Sequence, residues 1–344
     1  MLMFGVAGAL RERGWHVEIA VGSDAMIDRF TSADFPVHIV PGLNLGDRSP
    51  ISMGKGAVAM RRIVRQNGIS VLHSFNAQAG LLGWAATRGF GVKVVNTVLG
   101  AGKEALLRLM PFHLIAVSDF VKRDLIAHGV PEGRITTVHN GVLTSAHLLA
   151  GKEQFEALWQ SRRKDKVFRI AGIAMMNGDK GQRASIQAFA ALAALEPQKE
   201  LELVLIGDGS RRAALEALAE SSGVGDRVRF AGALNDVFPE LDRAHVFLHL
   251  SPQETFGIVL AEAQARGLPA VSFAIGGIPE VVLDLEGGVL LPLGEIGKVA
   301  HALHDLSCDL DTCETMGWHG LERTRRLFMR DTLGARTEAV YAAL

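Results

Sequence analysis

Short apolar runs, largely bare of charge, alternate with helix-patterned stretches along this chain, and that alternation narrows the fold more than any other feature. The runs at residues 16–21, 37–40, 71–73, 92–97 and 114–117 read as strands, with helices predicted at 57–67, 78–88 and 119–128. The scheme then repeats. Residues 168–171, 201–206, 228–230, 246–250, 270–273 and 288–291 read as strands, and 184–195, 211–221 and 256–266 as helices. Strands of this kind, each followed by a helix, belong to parallel sheets covered on both faces. Two sets predict two Rossmann-like domains, which a chain of 344 residues can accommodate. The expected divisions are a first domain over 1–150, a charged linker over 151–166, a second domain over 167–325 and a terminal helix over 326–344. That helix is predicted to cross back and pack on the first domain.

The segment from Glu254 to Glu262 carries the most chemistry. It holds two carboxylates separated by an apolar stretch with Gly257 inside it. A strand pattern precedes it, and a helix closed by Gly267 and Pro269 follows. Glu254 is therefore expected at a strand's carboxyl end, and Glu262 about two turns into the next helix. The amides of Phe256, Gly257 and Ile258 are then unpaired donors at a helix start, which suits an anion. A phosphate cradle between two carboxylates suits a sugar nucleotide.

Charge excludes one class of partner. Thirty-six basic residues against 37 acidic ones give no global pull on nucleic acid. Residues 1–150 hold 15 Lys/Arg and 10 Asp/Glu, whereas 151–344 hold 21 and 27. A basic first half favours an acidic substrate or an anionic lipid surface; ordinary variation between halves is the alternative. The stretch 57–67, with Lys55, Arg61, Arg62 and Arg65, is either a solvated helix face or a peripheral membrane contact. Cys308 and Cys313 have no metal spacing around them, so a reduced, cytoplasmic chain is the expectation. No run is apolar enough to span a bilayer, and the first residues lack a signal peptide's basic start.

These residues resemble the retaining glycosyltransferases of family 4, the glycosyl transferases group 1, which have the GT-B fold. The resemblance covers essentially the whole chain. It rests on Glu254 and Glu262 with Gly257 between them, on residues 203–211, 228–232 and 263–271, and on 276–280 with its paired glycines. In the first half it rests on 72–74, 116–118 and 138–142. The resemblance implies two Rossmann-like domains facing a cleft, with a nucleoside-diphosphate sugar bound mainly by the second. A saccharide or lipid-linked acceptor would bind mainly to the first. It implies that Glu254 holds hydroxyls of the donor sugar and that Glu262 holds the ribose. The amides of Gly257, Ile258 and Val259 would take phosphate oxygens, and Lys180 would offset charge on the leaving diphosphate. It further implies retention by front-face attack, no cofactor and no metal, and a role in cell-envelope polysaccharide or lipopolysaccharide synthesis.

Other positions have two readings. Gly207 and Gly209 make a tight turn after a strand, or they touch the donor together with Arg211. His73 ends a strand and is either an acceptor contact or a packed polar group. Ser118 is placed on the acceptor side but also reads as the cap of the helix starting at Asp119. Asp309 and Asp311 imitate a metal-binding pair but lie in a late acidic loop. Three departures from the family pattern stand out. Ala174 or Met175 occupies the place of an arginine, and Leu99 that of a histidine. The family's first strand and its glycine-rich loop are expected upstream of the first helix. A GT-B protein that binds nucleotide or a partner without catalysis is therefore the alternative function. A sugar-nucleotide epimerase on the same scaffold is a third, since fold alone does not decide chemistry.

Overall fold

The computed structural model describes residues 2–23, 27–44, 46, 49–102, 105–141 and 143–344. Val142, the end of one first-half match, lies outside them, as do residues 103 and 104 in the stretch after Leu99. The chain divides into two compact units: residues 1–142 with 330–344, and residues 143–329.

The first unit runs α1 (Leu2–Glu12), β1 (Ile19–Val21), α2 (Ile27–Thr31), β2 (Val37–Ile39), α3 (Pro50–Gln66), β3 (Val71–Ser74), α4 (Ala77–Thr87), β4 (Lys93–Val98), β5 (His113–Ala116), α5 (Asp119–Ala127) and β6 (Ile135–Thr137). Its strands form two parallel sheets, β1-β2 and β3-β4-β5-β6. Helix starts follow side-chain chemistry: Asn76 caps α4 by accepting from the Ala79 amide, and Ser118 caps α5 by accepting from Val121.

The second unit runs α6 (Lys152–Lys164), β7 (Phe168–Ile173), α7 (Gln182–Leu195), β8 (Leu201–Ile206), α8 (Arg212–Ser221), β9 (Val228–Gly232), α9 (Phe238–Arg243), β10 (Val246–His249), α10 (Ile258–Ala265), β11 (Ala270–Phe273), α11 (Ile278–Val281), β12 (Gly288–Leu291), α12 (Ile296–Cys308) and α13 (Leu310–Leu327). One six-stranded parallel sheet has the order β12-β11-β10-β7-β8-β9. That is the common doubly wound order, which reverses between β7 and β10. β10 and β11 are buried along their whole length, because helices cover both faces of the sheet.

The stretch 151–166 is not a linker. Lys152–Lys164 is a helix of the second unit, and Phe155, Trp159 and Arg162 are buried on one face of it. The Trp159 indole donates to the Gly267 carbonyl, and Arg162 donates to the carbonyls of Leu241, Asp242, Arg266 and Gly267. A buried guanidinium matched to four carbonyls serves as a core residue here, so its charge gives no sign of a boundary. The first division falls at residue 142 rather than 150. The second falls at 329, just past the end of α13 at Leu327, and not at 325.

The terminal helix α14 (Arg330–Ala343) belongs to the first unit. There Arg330 pairs with Glu12, and Glu338 accepts from both Arg13 and the Trp15 indole.

Candidate active site

In a doubly wound sheet, ligands bind beyond the carboxyl ends of the strands where the strand order reverses. In the second unit that place is defined by the loops after β7 and β10. Lys180 lies on the first loop and Glu254 on the second. The structure thus brings together two residues that stand far apart in sequence.

The β10 loop is held by glycine. Gly257 precedes α10 with φ +95°, a left-handed conformation that stops the helix from extending backwards. α10 therefore begins at Ile258 rather than Phe256, and Glu262 is its fifth residue, just past one turn instead of two. Gly276 and Gly277 press against the same loop. A Cβ on Gly276 would lie 1.8 Å from the Glu254 carbonyl oxygen, and one on Gly277 2.2 Å from that of Thr255. The Gly277 amide also donates to the Glu254 carbonyl at 3.2 Å. Any side chain at these two glycines would displace the backbone that carries Glu254.

The Glu254 side chain is 20% exposed. Its Oε1 accepts from the Thr255 amide at 3.0 Å and from Phe256 at 3.4 Å. The Phe256 amide is therefore occupied by Glu254 itself and is not one of the free donors expected there. The amides of Gly257, Ile258 and Val259 head α10, where helix geometry supplies no carbonyl for them. Burial pushes the Glu254 carboxyl up, but His249, Lys180 and the Phe256 amide outweigh it and hold the group below its ordinary range. His249 is buried at the end of β10, with Nε2 3.6 Å from Glu254 Oε2. Sequence reasoning missed this histidine; its only signal was a polar residue in an otherwise apolar strand. Burial pushes the Glu262 carboxyl up to about 7.

The β7 loop is held by its neighbours. Gly181, at φ +89°, packs so closely on Leu250 that a Cβ would lie 2.2 Å from the Leu250 carbonyl carbon. Gln182, also missed by sequence reasoning, donates to the Met175 carbonyl at 3.0 Å and accepts from the Lys180 amide at 3.3 Å. The Lys180 side chain is exposed, and among the described residues no carboxylate pairs with it. Gly207 and Gly209 pack on this loop: a Cβ on Gly207 would lie 2.1 Å from the Ala174 carbonyl oxygen. The Met176 amide donates to Asp208, and the Arg211 amide donates to Met176. Of the two readings for these glycines, the structure displays the turn. Arg211 itself stands half-buried at the start of α8.

His73 is locked in place. Its Nδ1 lies 2.6 Å from the Tyr341 hydroxyl and its Nε2 2.6 Å from Thr97 Oγ1, so both nitrogens are committed inside the first unit. Burial holds its pKa at about 3, so the ring is neutral. Of its two readings, acceptor contact or packed polar group, the structure displays the packed one. Ser118 is fully buried and caps α5. Leu99 is exposed, and its side chain carries no hydrogen-bond donor.

Asp309 caps α13 by accepting from the amides of Asp311 and Thr312, and Asp311 pairs with Arg163 at 2.5 Å. The imitation metal pair is thus a helix cap beside an ion pair. Glu196, His304 and Cys308 place donor atoms close together where α7 ends beside α12, but the Lys199 ammonium is already 3.8 Å from Cys308 Sγ. No helix among the described residues is long and apolar enough to cross a membrane.

A family model described as "Glycosyl transferases group 1" matches residues 167–309, and one described as "Glycosyltransferase Family 4" matches residues 2–146. The chain is 26% identical over 304 residues to the N-acetyl-alpha-D-glucosaminyl L-malate synthase of Bacillus anthracis, covering 83% of this chain and 77% of that protein. It is 34% identical over 131 residues to the lipopolysaccharide core biosynthesis glycosyltransferase LpsE of Rhizobium meliloti, covering 38% of each. Among solved structures it resembles Anabaena HepE in complex with UDP and glucose, with a TM-score of 0.80 at 18% identity, covering 100% of this chain and 95% of that one. The fold is GT-B.

Proposed function

The chain belongs to the group 1, family 4 glycosyltransferases, and from that premise we propose that it transfers a sugar from a nucleoside-diphosphate donor to a saccharide or lipid-linked acceptor. The transfer retains anomeric configuration and uses no metal. The reaction belongs to cell-envelope polysaccharide or lipopolysaccharide synthesis at the cytoplasmic side of the membrane.

One observation carries this reading: Lys180, Glu254 and the head of α10 converge at the reversal point of the second sheet. The amides of Gly257, Ile258 and Val259 take phosphate oxygens, as a helix start favours. Glu254, kept ionised by His249 and Lys180, accepts from sugar hydroxyls. Glu262 faces the ribose. As the bond from the anomeric carbon to the diphosphate breaks, its electron pair goes to the leaving oxygen. Lys180 and the amides stabilise that growing charge more than they stabilise the bound donor. The acceptor oxygen bonds to the same face of the sugar, and its proton passes to the departing diphosphate. The HepE complex favours uridine as the base. The relation to LpsE supports the envelope assignment. On α3, Ile51 and Val58 are exposed, while Arg61 and Arg65 lie over the Phe90 ring, so only part of the basic stripe is left for a lipid surface.

A nucleotide-binding protein without turnover is the second reading. It is favoured by Ala174 and Met175 in the place of the second cation, and by the committed nitrogens of His73. Thermal shift with UDP, GDP, ADP and CMP, followed by transfer assays with sugar donors of the base that binds, separates the two. Ligand at about 100 times its Kd gives about 2.7 kcal/mol. Stabilisation with turnover supports the transferase, stabilisation without turnover the second reading, and no stabilisation by any nucleotide refutes both.

A further inference from the structure

Away from the loops that carry Lys180 and Glu254, two helices of the second unit end side by side. α7 ends at Leu195, with Glu196 next in the chain, and α12 ends at Cys308. α7 has 14 residues, so its far end lies about 20 Å from the Lys180 loop. Lys199, two residues before β8, stands at the same place. The last carbonyls of a helix carry partial negative charge, and two such ends together favour a cation.

The side chains gathered there are metal ligands by type. Glu196, His304 and Cys308 offer a carboxylate oxygen, a ring nitrogen and a sulfur, all within 4.8 Å of one another. His304 and Cys308 stand four residues apart on α12 and so share one face of it. Glu196 Oε1 lies 3.0 Å from His304 Nδ1 and accepts from Cys308 Sγ at 3.6 Å. Nitrogen, oxygen and sulfur ligands of one tetrahedral ion, at about 2.0–2.3 Å from it, stand about 3.4–3.6 Å from each other. The imidazole adds an independent sign. Its Nδ1 is buried and has no hydrogen-bond partner among the described residues, although the carboxylate oxygen is within reach. Buried nitrogens rarely stay unsatisfied, and a nitrogen and an oxygen this close that share no proton are placed as two ligands of one ion would be. The Lys199 ammonium is anchored on the Ser307 carbonyl and hydroxyl at 2.7 and 2.9 Å, and reaches Sγ only at 3.8 Å. It donates to the sulfur from outside the ligand set, as outer-shell partners do.

We infer that Glu196, His304 and Cys308 form a site for a divalent transition-metal ion of the zinc type, with water as the fourth ligand. The donor set selects the class of ion. Calcium and magnesium take oxygen ligands, whereas thiolate, imidazole and carboxylate together suit Zn²⁺ and its analogue Co²⁺. Cys308 is exposed, so an ion has a way in. On binding, the thiol releases its proton to solvent and the sulfur bonds to the ion as thiolate. The ion ties the end of α7 to the end of α12 and takes no part in sugar transfer.

Cobalt titration of the untagged full chain, first stripped with a chelator and kept reduced with a phosphine, tests this. One Co²⁺ per chain is expected, with the near-ultraviolet band of a cobalt–thiolate bond and the strong visible bands of a tetrahedral site, and Zn²⁺ should displace it. Cys308→Ala should abolish the ultraviolet band. His304→Gln and Glu196→Gln should each weaken binding by at least about 100-fold, more than the loss of an outer-shell partner does. His301→Gln, an exposed change one turn earlier on α12, should alter neither readout. Melting curves of the metal-free variants show that each is folded. Absence of one-to-one binding by the parent overturns the inference. So does a thiolate band that survives Cys308→Ala, or a variant of His304 or Glu196 that binds as tightly as the parent. Nucleotide binding and transfer do not enter these readouts.

Discussion

The second unit's sheet is continuous across its centre, and the first unit's is split at the corresponding place. Both are built from the same succession of parallel strands and helices. In the second unit, β7 and β10 adjoin each other at the reversal point, and the loops that leave them carry Lys180 and Glu254. In the first unit, β1 and β3 flank a groove, and the polar residues near it hold each other: His73 with Tyr341 and Thr97, and Glu18 with His16, His38 and Asn67. The difference teaches that like successions of strands and helices put their polar residues to different uses. In the second unit the loops at the reversal point carry Lys180 and Glu254. Beside the first unit's groove the polar residues hold one another within the fold.

The largest effect should come from emptying the second unit's core. Trp159→Ala removes a fully buried indole and its bond to Gly267, and should cost about 3–5 kcal/mol in denaturant unfolding. Nucleotide-induced stabilisation should weaken with it. If binding and stability are untouched, α6 is not the support of the second unit described above. Next is Glu254→Ala, expected to lower transfer by about 10²–10³-fold with little change in melting temperature. Full activity in that variant would remove Glu254 from the site and with it the chemical contrast between the two units.

Glu262 sharpens the contrast through pH. Its carboxyl is about 7 in the fold against 4.5 unfolded, so the folded state holds a proton that the unfolded state releases between those values. The contribution of Glu262 to stability should fall as pH rises from 4.5 to about 7 and be level on either side. Glu262→Gln should therefore match the parent near pH 4 and exceed it by about 3 kcal/mol near pH 8. If Glu262 holds the ribose, the same variant binds nucleotide less well near pH 8 despite its greater stability. Equal stability at both pH values would show that burial does not raise this carboxyl.

Legibility in the sequence followed the same division. The strands of the second unit were readable because they are apolar on both faces, and Glu254 was readable because Gly257 is demanded by its left-handed φ and the Gly276-Gly277 pair by backbone contacts. α6 was not, because its core stripe of Phe155, Trp159 and Arg162 is interleaved with charges that imitate a linker, and one of those charges is itself buried. β6 went unassigned because Ile135–Thr137 is short and carries two threonines. His249 and Gln182 act through other residues, and no spacing rule reveals a side chain whose task is to hold a neighbour. His73 kept two readings because a position at a strand end gives its location but not the partners that reach it from α14, 268 residues away.

The smallest effect tests that last point. Tyr341→Phe keeps the ring against Trp15 and His73 and removes only the hydroxyl. A neutral imidazole has one donor and one acceptor nitrogen, and Thr97 can satisfy only one of them. The nitrogen left without a partner is buried, which should cost about 1–2 kcal/mol of stability. That loss should appear in the first unit's unfolding with the nucleotide response unchanged, because the second unit's loops do not depend on it. An acceptor KM that rises while stability stays constant would reverse the assignment. It would mean that His73 meets the acceptor after all and that the first unit also presents chemistry from a strand end.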